Sequence, residues 1–503
     1  MKGGLFGVQP ATRPTDAQFL QLIGVTGSHH DVFTLLLKRF VKFQEAYTMT
    51  STYLPEENRA QNIVNGLREK GIQLVEFIYV DYNGVARGKT VTIDSLSRHI
   101  VDGVGLTLVQ FAATARDEIV DVPGLTAVGE SRLVPDLDSM RILPNHPQVA
   151  TFMCNHLTQA KEPFAADPRG LLQRVIADAA AEGYVAKATY ENEFMLRDSE
   201  TDAPANDNFC FDTDAMEFAY DFIPEMIDQL KQMGISVDKY YPEAGTGQHE
   251  LPMRPYGLMQ AADNEIWFKR EVRAVARKHG MRATFAPKPD MQTEGNGGHI
   301  HLSLWDHAGH NVLADTTDPV GLSQLGYYFV GGILAHIRGL VALTAATVNS
   351  YQRLQPGEWS SAYAAYGKDN REAAVRIPST QWDYAEATAN VELKASDATA
   401  NPYLALAGLL SAGLDGIRHQ IMPGAAVDVD PATLSADERA DAGIARLPET
   451  LDEAITALND DPLFNELMGK QMLTGYTAVK RADISHFAHY DDNTIGVETA
   501  HLY

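Results

Sequence analysis

Three short segments each carry two chemically capable side chains set two residues apart: Glu191 and Glu193 in TYENEFML, His299 and His301 in GGHIHLSLW, and Glu392 and Lys394 in NVELKAS. In an extended strand that spacing aims both side chains at one face. Two further carboxylates, Glu243 and Glu250, flank the glycine-rich part of PEAGTGQHELP. A carboxylate turned into apolar surroundings has to be paired, protonated or bound to a metal. Five acids with a histidine therefore point to divalent cations, and oxygen-rich ligation without thiolate points to magnesium or manganese rather than zinc. Each motif alone also has a plainer reading, a solvated strand face for Glu-x-Glu and a polar network for His-x-His. Arg353 in NSYQRLQPG and Arg371 and Arg376 in GKDNREAAVRIPS add planar cations that grip phosphate or carboxylate with two bonds. Beside a metal cluster they suit phosphoryl transfer; in an acid-rich chain they equally suit ion pairs.

The elements that must position these groups can be read from pattern. LVEFIYVDYNGVARGKTVTI holds two β-rich runs around Asn83-Gly84, a hairpin signal, and opens a small β domain. That domain continues through turn-rich sequence to Pro144, and ADPRGLLQRVIADAAAEGY then predicts a helix entered through Asp167-Pro168. The expected organisation is an N-terminal, partly helical extension over 1–62, a β domain over 63–162 and an α+β domain over 163–503. In the last, strand-like VAKATYENEFML, GGHIHLSLW and ANVELKAS alternate with helical patterns over 223–233, 261–279, 322–348 and 402–417. Apolar residues at helical spacing also predict a helix over 31–45 of the extension.

Composition narrows the function classes. The chain has 503 residues and a formal charge of −25, which repels phosphate backbones and anionic lipid, so no nucleic-acid or membrane partner is expected. The apolar run 327–348 is interrupted by Gly331-Gly332, His336 and Arg338 and predicts a buried core helix. Two cysteines cannot build a disulfide framework, and the first residues lack a signal-peptide pattern, so a reducing cytoplasmic setting is expected.

Taken together, VEFIYVDYNGVARGK, ENEFML, EAGTGQHE, FAPKPD, EGNGGHIHLSLW, NSYQRL, NREAAVRIP and VELKASDATANPYLALAGLLSAGLDGI resemble the glutamine synthetase family in order and spacing, from about residue 70 onward. The resemblance implies an N-terminal β-grasp domain followed by a catalytic domain whose antiparallel sheet forms a funnel with surrounding helices. It implies ATP, L-glutamate and an amine as substrates, two or more Mg2+ or Mn2+ ions per site, and reaction through γ-glutamyl phosphate. It further implies homo-oligomers of hexameric rings, by default a dodecamer, with active sites shared between subunits. By the same resemblance Glu193, Glu243 and Glu250 match the ligands of a first metal, and Glu191, His299 and Glu392 those of a second. His301, Ser303 and Arg376 match nucleotide contacts, Arg353 and the loop at Gly295 match the glutamate site, and Arg371 matches the residue facing the transferred phosphate.

Several positions depart from the family pattern. Trp359 stands where glutamine synthetases carry a flap glutamate that binds ammonium and takes its proton, with Glu358 adjacent. The small domain's ammonium-site aspartate has no clear counterpart in GLTLVQFAATARD. Lys394 replaces an arginine for the substrate carboxylate, Asn390 a nucleotide-side arginine, and Glu294 an asparagine of the glutamate loop. Stripping water from ammonium without a carboxylate is costly, whereas a bulkier amine gains from apolar contact. The pattern is thus similar to γ-glutamyl-amine ligases such as γ-glutamylanilide and γ-glutamylisopropylamide synthetases. It predicts a primary amine acceptor, aromatic like aniline or a small alkylamine, with Trp359 as a wall of its site. The competing expectations are an ammonia-using glutamine synthetase with Glu358 as base, and a non-catalytic structural homologue.

Overall fold

A computed structural model describes residues 57–207 and 209–503. The helix expected over 31–45 lies outside the described residues. Helix Glu57–Glu69 is the first described element. It runs through the expected boundary at 62/63, and Ala60, Val64 and Leu67 pack into the same core as Phe77 and Phe152.

The first sheet contains β1 (Leu74–Val80), β2 (Ala86–Thr92), β3 (Val104–Thr107), β4 (Glu130–Pro135), β5 (Arg141–Leu143) and β6 (His146–Leu157), in the order β2-β1-β6-β4-β3 with β5 beside β6. β1 and β2 pair antiparallel with Val80 opposite Ala86, as the hairpin signal predicts. Their turn closes with Gly84 N–H on the Asp81 carbonyl at 3.1 Å and Gly84 at φ 73°. Gly84 is also packed against the catalytic half: a Cβ there would lie 2.6 Å from the Thr399 carbonyl. Sequence patterning passed over β6. It runs parallel to β1 at the centre of the sheet, and its stretch from Ala150 to Leu157 is buried without alternation, so it lacks the period-two signal of a half-exposed strand.

The second sheet contains β7 (Tyr184–Asp198), β8 (Tyr241–Pro242), β9 (Gln248–Glu250), β10 (Tyr256–Gly257), β11 (Met281–Thr284), β12 (Gly298–Asp306), β13 (Tyr363–Lys368), β14 (Ala373–Ile377), β15 (Val391–Leu393) and β16 (Ala445–Arg446). The order is β16-β13-β14-β15-β12-β7-β9-β8, with β10 and β11 also on β7. It is antiparallel throughout except for the β13–β14 pair, which is parallel. The strand expected over 389–396 is pared to Val391–Leu393, because Ser396 turns its hydroxyl to the Gly298 carbonyl at 2.5 Å and leaves the ladder.

Helix Pro168–Ala181 begins as expected, with Pro168 in its first turn and the Asp167 carboxylate accepting from Arg169 N–H. Helices Leu258–Lys278, Gln324–Thr344 and Pro402–His419 form the core behind the sheet. Gln324–Thr344 is long and apolar enough to cross a membrane, but it packs against Pro402–His419 through facing glycines: a Cβ on Gly332 would lie 2.1 Å from the Ala412 carbonyl.

Candidate active site

Strand register converts the sequence spacings into one row of polar groups. Across the central strands, Glu250 lies opposite Glu193, Glu191 opposite His299, and Glu392 opposite both His301 and Arg376. Cross-strand partners share a face, so β9, β7, β12, β15 and β14 present these seven side chains together. Among the described residues, Glu191, His301 and Glu392 form a group whose ligand atoms all lie within 4.8 Å of one another. His301 Nε2 is 3.3 Å from Glu191 and 3.7 Å from Glu392. His299 Nδ1 sits between Glu392 at 3.6 Å and Glu193 at 4.0 Å. Both histidines are thus among the carboxylates, including His301, which the resemblance assigned to the nucleotide.

The electrostatics fit a cation site. Opposed Glu193 and Glu250 are like charges, a destabilising pair unless something positive joins them. Burial pushes the Glu193 pKa up to about 7 against the pull of Arg353. Burial, then the charges of Glu193 and Glu191, drive Glu250 well above the carboxylate range, and burial likewise raises Glu243. At the other end burial opposes charge on both Glu191 and His301, yet their attraction wins, holding Glu191 at about 2 and His301 at about 9. Glu392 is buried with neither carboxylate oxygen hydrogen-bonded, and His301 Nε2 is also without a hydrogen-bond partner. Orphaned oxygens and an imidazole nitrogen facing one another are donors that a divalent metal satisfies, so the residues fit magnesium or manganese.

Neighbouring side chains, most of them not singled out from the sequence, hold the row in place. Asn390 accepts from His301 Nδ1 at 2.8 Å and donates to the Thr388 carbonyl at 3.0 Å, which leaves Nε2 turned to the carboxylates. The Gln248 amide spans Glu193, the Gly295 carbonyl and Asn296 at 2.9 to 3.0 Å, and Gly297 N–H donates to Glu193 at 2.8 Å. Tyr241 donates to Glu250 at 2.5 Å. At Gly297 a Cβ would meet His299 Nε2 at 2.6 Å and Arg353 at 2.9 Å, so any other residue would displace these side chains.

The remaining expected residues fall into two neighbourhoods. Arg353 is buried beside His299 at 3.2 Å and donates to the Ser396 carbonyl, with Gly295 against its side chain. Lys394 is buried 3.5 Å from His299, and burial lowers its pKa. Arg376 Nε approaches Glu392 at 2.5 Å, and Ser303 accepts from the Trp305 indole at 2.9 Å. Glu358 binds the buried ammonium of Lys288 at 2.6 Å and lies close enough to act on Arg353. Trp359, with φ 52°, is 69% exposed and lines a groove of about 330 Å3 with Arg371, Asp369, Glu372, Asp428 and Asp430. Glu294 is exposed, and Asp117, the acid of GLTLVQFAATARD, is held in an ion pair with Arg87.

Comparison with known proteins places the chain in a family. The family model for the glutamine synthetase catalytic domain matches residues 165–495, and that for the glutamine synthetase N-terminal domain matches 59–162. The gamma-glutamylpolyamine synthetase GlnA3 of Streptomyces coelicolor is 35% identical, over 89% of this chain and 97% of its own. The glutamine synthetase of Halobacterium salinarum is 32% identical, over 87% and 95%. Among solved structures, a novel glutamine synthase homolog superposes with TM-score 0.77 at 32% identity, covering 86% of this chain and 99% of that one. GmaS in complex with ADP does so with TM-score 0.75 at 32% identity, covering 84% and 96%.

Proposed function

The chain belongs to the glutamine synthetase family of ATP-dependent ligases, and on that premise we propose that it joins the γ-carboxyl of L-glutamate to a primary amine larger than ammonia. The groove at Trp359 and Arg371 carries the acceptor assignment. Ammonia needs no such space, whereas an amine with an alkyl chain fills it. Four acids line the groove against Lys368 and Arg371, which favours an acceptor carrying a second positive charge over neutral aniline. The indole of Trp359 adds a face for such a cation. The name of the Streptomyces relative, a gamma-glutamylpolyamine synthetase, supports the same class.

In this reading Arg353 and Lys394, beside the Gly295 loop, bind glutamate carboxylate. A γ-carboxylate oxygen bonds to the terminal phosphorus of ATP, and ADP leaves. Arg371 faces the phosphoryl group in transfer, while Ser303 and Arg376 contact the nucleotide. Glu191, His299, His301 and Glu392, with Glu193, Glu243 and Glu250 beside them, would hold divalent cations, which would supply neutralisation of phosphate charge. The amine nitrogen then attacks the γ-carbonyl of γ-glutamyl phosphate and inorganic phosphate leaves. Glu358 takes the surplus amine proton, its position set by Lys288. The enzyme works in the cytoplasm as hexameric rings, a dodecamer in the default arrangement, which light scattering on a sizing column checks.

Glu358 also favours a second reading, an ordinary glutamine synthetase, because a carboxylate beside Lys288 and Arg353 serves ammonium equally well. Phosphate release with ammonium, isopropylamine, a short diamine and aniline decides between them. The expected order puts the diamine at least about tenfold above ammonium in kcat/KM, with Trp359→Ala raising its KM more than it lowers kcat. Ammonium ahead of every amine overturns the acceptor assignment. Absence of metal-dependent ATP turnover with any of them points to a non-catalytic homologue.

A further inference from the structure

None of the residues lining a second cavity, of about 410 Å3, belongs to the carboxylate–histidine row. It opens between the β1–β2 hairpin and helix Leu258–Lys278. Arg87, Lys269, Arg270, Arg273 and Arg277 line it with Glu76 as the one acidic side chain of the lining, in a chain whose formal charge is −25. Four of these cations lie along one helix at spacings of three and four residues, so they form one stripe.

Partner accounting separates the structural cations from the available ones. Arg270 is held by Glu76 through bonds of 2.7 and 3.0 Å, which tie the helix to β1. Arg87 is held by Asp81 at 2.6 Å and by Asp117. Lys269 donates to the Ala398 carbonyl at 2.7 Å and lies 3.5 Å from Glu265. Arg273 lies over the Phe285 ring at 4.9 Å and donates to the main-chain oxygen of Tyr503. Neither Arg273 nor the exposed Arg277 one turn later is in a salt bridge with an acidic side chain among the described residues. Burial and then the charge of Arg277 push the Arg273 pKa down to about 10, against the pull of Glu265.

We propose that this cavity is a binding site for a small phosphate-bearing ligand, gripped by the Arg273 and Arg277 guanidiniums at the joint between the first sheet and helix Leu258–Lys278. Two adjacent planar forks match phosphate oxygens bidentately. The volume exceeds what bare phosphate needs and falls in the range that holds a small organic molecule. Ile78, Val85 and Ile266 provide apolar wall for the rest of it.

The test uses the full chain in metal-free buffer, with tripolyphosphate and AMP as probes in separate calorimetric titrations. The expected result is binding of at least one probe, accompanied by a rise in Tm and weakened at least tenfold in Arg277→Ala. Arg277→Ala should leave basal turnover unchanged, since it lies outside the proposed active site. Arg273→Lys keeps the charge and loses the fork, so it should weaken binding as well. Binding of AMP alone assigns the ligand to nucleotides, and binding of tripolyphosphate alone to free phosphate chains. The proposal is overturned by no binding of either probe at about millimolar concentration, a weak affinity by general standards. It is equally overturned by wild-type affinity in Arg277→Ala, by loss confined to Arg371→Ala or Arg376→Ala, or by an Arg277→Ala variant that binds no probe differently but changes its assembly state.

Discussion

Glu392 shows how much one side chain can say about its site. It is buried, both carboxylate oxygens lack a hydrogen bond, and Arg376 approaches at 2.5 Å out of line for one. Such a group is retained at a cost in stability unless a cation completes it. Manganese should therefore raise the wild-type Tm, by about 2.7 kcal/mol of stability at a hundredfold excess over Kd, and Glu392→Ala should abolish that shift as read by differential scanning fluorimetry. Glu191, Glu193, His299, His301 and Glu392 were legible from their spacing of two, and Glu250 from its place beside a glycine-rich segment. Gln248 and Lys288 were not, nor was the bond between Asn390 and His301, since each acts on a partner between 55 and 89 residues away in the chain. The indole of Trp359 was expected as an amine wall, but which of two adjacent side chains turns inward depends on the backbone there. Lys288 holds Glu358 while Trp359 lies out along the groove.

At the scale of elements, the helix pair Gln324–Thr344 and Pro402–His419 meets backbone to backbone. A Cβ at Gly332 would lie 2.1 Å from a main-chain oxygen, a neighbour that cannot rotate away. Gly332→Ala should destabilise by at least about 1–3 kcal/mol in urea unfolding. His336 couples three helices, accepting or donating to Asp415 at 3.1 Å and Asp461 at 2.7 Å. Burial alone would lower its pKa, but hydrogen bonds to Asp461 and Asp415, and their charges, raise it above the ordinary value. A raised histidine pKa contributes stability that is full below the unfolded value of about 6.5 and is lost as pH climbs through the folded value. The Tm advantage of wild type over His336→Gln should thus be full below about pH 6.5 and shrink as pH rises above it. Capped, periodic helices such as Pro168–Ala181 were readable in advance. β6 was not, because burial on both faces erases the alternation that marks a strand.

At the scale of the whole molecule, the two sheets are joined by buried charge as well as by apolar packing. Arg169 reaches Asp136 at 2.8 Å beyond the end of β4, Asn155 on β6 at 2.7 Å, and Asp263 of helix Leu258–Lys278 at 2.9 Å. Removing that guanidinium strands Asp263 in the interior. Arg169→Ala should cost about 3–5 kcal/mol in urea unfolding, and Arg169→Lys less, since it keeps the charge but not the fork. The long periodic helices, the β1–β2 hairpin and the paired acids and histidines were determined by the sequence by itself, because strand and helix periods are local properties of the chain, and ordered motifs carried the family. Tertiary structure alone decided that Glu250, Glu193, Glu191, His299, His301, Glu392 and Arg376 form one continuous row. It alone decided that His301 joins the carboxylates and that a cationic cavity opens in an acidic protein. The reason is register: a slip of one residue between strands turns every side chain to the opposite face, and register is set by pairing between segments far apart in the chain.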